Sequence, residues 1–263
     1  MTRIEKKFKE LKIAHKKAFI TFITAGYPSL KVTEQLILAF DRVGVDIVEL
    51  GVPFTDPLAD GPIIQEASTY ALKKNITLAK ILSLVKRVRA KTTMPLCVMT
   101  YYNPIFCFGE EKFLKQAVSC GVDGVIIPDL PPEEGKKLIS LANRHGIDVI
   151  CFIAPTSSLK RIKYIAKVSR GFIYYVSLTG VTGMRNKLPL DLTRQLKLVK
   201  KTTSKPVCVG FGISNPAQVR QIHNIADGVI VGSAIIRQIK ENIGKPDLIH
   251  KVSTLVQRLK GDA

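Results

Sequence analysis

Eight apolar runs of strand length, each followed by a helical stretch, and one short punctuation pattern that returns before several of them predict an α/β protein. The specific expectation is a single (β/α)8 barrel with extra helices, spanning residues 1–263. The length agrees, because 263 residues suit one such barrel, which typically takes about 250. So does the character of the runs: they are continuous Val/Ile stretches rather than alternations, as in strands covered on both faces.

In chain order the candidate strands are 18–24, 45–52, 95–100, 123–128, 148–153, 172–177, 206–210 and 227–231. Gly44-Val45-Asp46 precedes Ile-Val-Glu-Leu-Gly in the second and Gly121-Val122-Asp123 precedes Gly-Val-Ile-Ile-Pro in the fourth, while Gly146-Ile147-Asp148 and Ala226-Asp227-Gly228 open the fifth and eighth in the same way. Each reads as a helix stop, a short turn and a buried strand, repeated as one unit. Asn143-Arg144-His145-Gly146 closes a helix with basic residues and a glycine, which suits both the macrodipole and a left-handed cap. His145 therefore has a structural explanation. No linker, low-complexity segment or charge block divides the chain.

Hydrophobic residues make up 46% of the sequence, enough for a substantial core. No apolar run reaches the roughly 20 residues that span a bilayer, and the N-terminus enters a charged helical pattern without a signal-like region. The expectation is a soluble cytoplasmic protein, or a stromal one if the chain is plastid-encoded. Cys97, Cys107, Cys120, Cys151 and Cys208 are odd in number and form no C-x-x-C pair, so they read as buried free thiols rather than a disulfide framework. The histidines at 15, 145, 223 and 250 are scattered, and no metal site is expected. The net charge of +19 is the oddity, with 28 lysines and 12 arginines spread along presumptive helix surfaces. Attraction of an anion or nucleic acid is one reading and a solvated lysine-rich surface the other. No nucleic-acid module or basic stretch interleaved with aromatics favours the first.

Active sites of such barrels lie at the C-terminal strand ends. The second run carries a lone carboxylate, Glu49, in an otherwise apolar Ile47-Val48-Glu49-Leu50-Gly51. An unpaired buried carboxyl is driven toward its neutral form, which poises it to donate or accept a proton near neutral pH. A structural Glu pinned by hydrogen bonds is the competing reading. The next loop, Pro53-Phe54-Thr55-Asp56-Pro57-Leu58-Ala59-Asp60-Gly61-Pro62, is stiffened by three prolines and offers Asp56 and Asp60. Either acid could instead cap a turn or helix, and Asp60-Gly61-Pro62 fits a helix starting near Pro62 as well as it fits chemistry.

Gly210-x-Gly212 and Gly232-Ser233-Ala234 end the last two runs, where barrels commonly bind phosphate through backbone N–H groups and a helix N-terminus. Ser177-Leu178-Thr179-Gly180-Val181-Thr182-Gly183 reads as a lid or a further phosphate-side segment. No lysine lies in any strand core and no His or carboxylate cluster is present, so Schiff-base and zinc-dependent aldolases are disfavoured. The chemistry left is proton transfer by carboxylates on a phosphorylated substrate, in an apolar pocket of Phe22, Tyr101 and Tyr174.

The stretch from Glu49 to Pro62 closely resembles the signature of the tryptophan synthase alpha chain family, a family of TIM-type barrels. The resemblance continues through Pro128-Asp129-Leu130-Pro131, Thr179-Gly180-Val181-Thr182-Gly183, Gly210-Phe211-Gly212-Ile213-Ser214 and Gly232-Ser233-Ala234, in family order. It implies a lyase of tryptophan biosynthesis that cleaves indole-3-glycerol phosphate to indole and glyceraldehyde 3-phosphate in a retro-aldol step. Glu49 would be the general acid–base and Asp60 the carboxylate at the indole N–H. Phe22, Tyr174 and Thr182 would surround the substrate, and Gly183, Gly212, Gly232 and Ser233 would hold its phosphate. The resemblance implies no cofactor for this chain, with pyridoxal phosphate on a partner beta chain, and an α2β2 complex in which Asp56 and Pro57 face that partner. Thr55 departs from the usual serine and keeps the hydroxyl. A stand-alone lyase and a non-catalytic activating subunit remain alternatives.

Overall fold

The computed structural model of the chain describes residues 1–176, 190–210 and 212–261. The first third contains α1 (Arg3–Ile13), β1 (Ala18–Thr24), α2 (Leu30–Arg42), β2 (Ile47–Gly51), α3 (Pro62–Lys73) and α4 (Leu78–Arg89). There follow β3 (Leu96–Met99), α5 (Tyr102–Phe108), α6 (Glu110–Cys120), β4 (Gly124–Ile126), α7 (Lys136–Arg144), β5 (Asp148–Ile153), α8 (Leu159–Val168) and β6 (Ile173–Val176). The last part holds α9 (Leu190–Thr202), β7 (Val207–Gly210), α10 (Pro216–His223), β8 (Gly228–Val231), α11 (Ser233–Glu241) and α12 (Leu248–Lys260). The strands pair in chain order, all parallel, and β8 returns to β1, so the sheet is a closed eight-stranded barrel. The predicted (β/α)8 fold is the observed one, and α1, α3, α5 and α11 are the extra helices around it.

Closure sorts the side chains into two cores, because successive residues of a strand point to opposite faces. One core lies between strands and helices and includes Phe19, Val48, Leu50, Val98, Val209 and Val231. The other fills the barrel itself, with Ile20, Ile47, Cys97, Ile126, Ile150, Cys208 and Ile230. Ile4, Phe8 and Leu11 of α1 belong to this inner cluster, so the N-terminal helix plugs the barrel floor. Thr2 caps α1 in a reciprocal pair with Glu5 and also donates to Asp148 Oδ2 at 2.6 Å, tying the plug to the start of β5.

The recurring aspartates have a second job beyond turn punctuation. Asp46, Asp123 and Asp227 each donate their backbone N–H to a carbonyl of the preceding strand, and their carboxylates accept the N–H of that same residue: Phe19, Leu96 and Val207. The side chain thus supplies an acceptor where the parallel ladder runs out. Asp123 is also bridged by Arg89 at 2.6 Å and Arg3 at 2.8 Å. Asp148 departs from the scheme and turns its carboxylate to Thr2 and Arg170; burial pushes its pKa up to about 6.

Two expectations need correction. Several strands are shorter than their apolar runs, most of all β4, because Asp123 forms the bottom cap and Pro128 has no N–H to continue the ladder. Four cysteines are buried as expected, but Cys107 is exposed: it lies on the short α5, whose outer side also exposes Phe106.

Candidate active site

The C-terminal ends of the strands open onto a pocket of about 130 Å³, lined by Phe22, Asp60, Ile64, Met99, Tyr174, Gly210, Gly212, Ile213, Ile230, Gly232 and Ser233. A narrower recess beside it shares Phe22, Asp60, Ile64 and Met99 and is closed by Thr100 and Tyr101. A larger groove of about 430 Å³ between α7 and α8 lies on the outer wall and carries none of the predicted site residues.

Phe22 reaches the pocket from the inner face of β1, and its neighbour in register on β2 is Glu49. Gly51 at the end of β2 makes room for the Phe22 ring, since a Cβ there would stand 2.5 Å from Phe22 Cζ. Gly210 does the same for the Tyr174 ring at the end of β7. The strand-end glycines therefore leave room for two aromatic rings, where the sequence suggested only a phosphate-side role for Gly210 and none for Gly51.

Glu49 on β2 is fully buried, with Phe22 and Cys97 as its neighbours in register. Among the described residues neither carboxyl oxygen has a hydrogen-bond partner. Burial in this apolar layer pushes its pKa up to about 8, so the carboxyl is protonated at neutral pH. Among the described residues nothing pins Glu49 by the hydrogen bonds that the structural reading would require.

Asp60 is half-buried at the mouth. The helix-capping reading fails here: α3 begins at Pro62, Gly61 is its N-cap, and no side chain caps it. The Asp60 carboxylate instead accepts a hydrogen bond from the Tyr101 hydroxyl at 3.2 Å, and Gln65 Nε2 donates to the Asp60 carbonyl at 2.9 Å. Burial pushes the Asp60 pKa up to about 6, with the Tyr101 hydrogen bond opposing it, so the group is mostly ionised at pH 7. Two carboxyls at one strand end are thus held in opposite protonation states.

Gly232 is the N-cap of α11 and makes no side-chain cap, so the first-turn N–H groups around Ser233 face the pocket's edge with the positive end of the helix dipole. A Cβ at Gly212 would meet nothing within 4 Å, so that residue borders open space. Asp56 is exposed, with Thr55 Oγ1 donating to it at 2.5 Å, and Pro57 is half-buried beside it. Thr182 and Gly183 lie outside the described residues. Among the described residues no three His, Cys, Asp or Glu side chains are grouped so as to hold a metal ion, and no helix is long and apolar enough to cross a membrane.

The family model of the tryptophan synthase alpha chain matches residues 8–262. The chain belongs to the tryptophan synthase alpha chain family. A relative from Geotalea daltonii is 50% identical over 260 residues, covering 99% of this chain and 98% of its own. The tryptophan synthase alpha subunit of Legionella pneumophila superposes with a TM-score of 0.92 at 38% identity, covering 99% of this chain and 97% of that one. A chain from the tryptophan synthase α2β2 complex of the hyperthermophile Pyrococcus furiosus, a structure concerned with mutual activation in that complex, superposes at 0.87 with 36% identity. It covers 92% of this chain and 97% of that one. Within the tryptophan synthase alpha chain fold, Asp60, Phe22, Tyr174, Gly212, Gly232 and Ser233 line one pocket, and Glu49 is joined to it as the register neighbour of Phe22. Tyr101 was legible only as a pocket aromatic; its link to Asp60 joins residues 41 apart in the chain and has no local signal.

Proposed function

We propose that this chain is the lyase subunit that cleaves indole-3-glycerol phosphate into indole and glyceraldehyde 3-phosphate, without a cofactor of its own. The observation that carries the reading is Glu49: a buried carboxyl with no hydrogen-bond partner among the described residues, in register with Phe22 of the pocket that an ionised Asp60 also lines. Protonated Glu49 gives its proton to indole C3, which places positive charge on the ring nitrogen. The Asp60 carboxylate accepts the indole N–H and stabilises that charge, most strongly where water is excluded. The Glu49 carboxylate formed in the first step then takes the proton of the glycerol hydroxyl. The bond between indole C3 and the carbinol carbon breaks, the aldehyde forms, and the bonding pair returns to the ring. Glu49 ends protonated, as it began.

The phosphate is placed on the α11 N-terminus at Gly232 and Ser233, with Gly212 across from it, because a helix start with free N–H groups suits an anion. Phe22 and Tyr174 flank the indole. A beta chain carrying pyridoxal phosphate is the proposed partner, in an α2β2 assembly, and Asp56 and Pro57 face it. Support comes from exposed apolar side chains: Leu58, next to Pro57 in the same loop, is 94% exposed, and Phe106 of α5 is 65% exposed.

Indole release from indole-3-glycerol phosphate, measured with the purified chain alone and after addition of a beta chain, tests the whole reading. Slow cleavage that accelerates on mixing is expected. Cleavage unaffected by mixing would leave a free-standing lyase, and no cleavage in either case would overturn the catalytic assignment.

A further inference from the structure

We propose that the Tyr101 hydroxyl is the positioning group for Asp60, orienting its carboxylate and coupling that orientation to the loop that carries Asp56 and Pro57. The inference rests on the site reading above and deepens it.

The hydroxyl sits between two groups of the same loop. The Ala59 N–H donates to it at 2.9 Å, and it lies 3.2 Å from Asp60 Oδ2. A hydroxyl carries one proton, and an amide that donates to its oxygen cannot receive that proton. The Tyr101 proton is therefore directed at Asp60 by the Ala59 contact, and the carboxylate is held from one side. Burial and the nearby Asp60 charge push the Tyr101 pKa upward, so the phenol stays protonated and remains a donor over the whole working range.

The ring cannot drift. Tyr101 is buried, and its ring stacks on Phe54 with centroids 5.0 Å apart and planes at 25°. Phe54 begins the same loop that Ala59 and Asp60 end, so Tyr101 touches both ends of the segment containing Asp56 and Pro57. Its backbone is anchored on the far side: the next N–H, of Tyr102, donates to Asp129 Oδ1 at 2.9 Å. A push on the exposed loop is transmitted to the carboxylate through this side chain. The other titratable groups facing this corner are Tyr174 from β6, Glu49 deeper on β2 and Asp129 after β4.

Tyr101→Phe removes the hydroxyl and keeps the stack on Phe54. With the beta chain present, kcat for cleavage is expected to fall roughly 10- to 100-fold, the size of one lost hydrogen bond to a charged group, with KM within about twofold. Asp60 loses the bond that favours its ionised form, so the acid limb of the pH profile moves to higher pH, and raising the pH restores part of the rate. Acceleration by the beta chain should shrink in the same variant. The Asp60 carboxyl is titrated directly by carbon NMR in both proteins, which reads the proposal even if neither cleaves the substrate. A rise in its pKa supports positioning; an unchanged Asp60 titration with unchanged kcat overturns it while leaving the lyase reading intact. Tyr101→Leu, which also removes the ring, should lower the melting temperature further, separating packing from the hydroxyl's effect.

Discussion

Glu49 concentrates the cost and the use of this fold in one residue. A carboxyl without hydrogen bonds among the described residues, raised from 4.5 to about 8 by burial, binds a proton in the folded state that the unfolded chain releases above its ordinary pKa. Between those two values stability falls as pH rises, and at pH 7 the loss is on the order of 3 kcal/mol. Glu49→Gln, neutral at every pH, is expected to match the wild type near pH 4 and to melt at higher temperature from pH 6 upward, while kcat drops about 10²- to 10⁴-fold. Thermal melts across that range with parallel assays check it; a variant less stable at pH 8 would mean that Glu49 is ionised and held by a partner. The roles proposed for this pair of carboxyls predict a bell-shaped rate profile. In the proposed roles Asp60 acts ionised, so activity is expected to fall below about 6, and Glu49 starts protonated, so it is expected to fall above about 8. A flat profile from 5 to 9 would refute the paired roles. Both carboxyls were legible in the sequence, Glu49 as the lone charge in an apolar run and Asp60 by its place in a proline-stiffened loop. The sequence left Asp60 open between a cap and a catalyst; the structure removes the cap and turns the carboxylate to Tyr101, across adjacent strands.

At the scale of elements, strand ends matter more than strand centres. The apolar runs located all eight strands, because burial on both faces selects Val and Ile throughout. They did not locate the ends, which depend on where a polar group can replace the next ladder bond. The aspartates that precede or open β2, β4 and β8 do this with their carboxylates, and Asp123 joins it to two arginines. Arg89 is itself largely buried and also donates to the carbonyls of Gly121, Thr92 and Met94. Asp123→Ala would strand that guanidinium and leave the Leu96 N–H without its carboxylate. A loss of about 3–5 kcal/mol is expected, against less than about 1 kcal/mol for Glu133→Ala, whose bridge to Arg161 is exposed on both sides. Denaturant unfolding of the two variants compares them, and equal losses would show that the aspartate only marks a turn.

Over the whole molecule the net charge of +19 acquires a partial geography. In a (β/α)8 barrel the helices return toward the N-terminal ends of the strands, and Arg42, Arg89, Arg144, Lys167, Lys200, Arg220 and Arg258 lie in the last turns of such helices. They face the negative ends of the helix dipoles on the side opposite the pocket, along with Asp123, Asp148 and Asp227. Local placement is therefore favourable, yet 40 basic residues against 21 acidic ones leave a large excess that repels itself. Salt weakens both terms. Exposed pairs contribute about 0–1 kcal/mol each, and many of the recorded bridges are exposed, so the attraction lost is modest. Repulsion among 19 uncompensated charges acts over distances beyond one side chain, the range that screening removes first. Raising salt from about 10 mM to about 200 mM should thus raise the melting temperature by a few degrees. A fall over the same interval would show that dipole and ion-pair placement outweighs the global repulsion, and that the basic surface is a stabilising feature of the barrel rather than a burden on it.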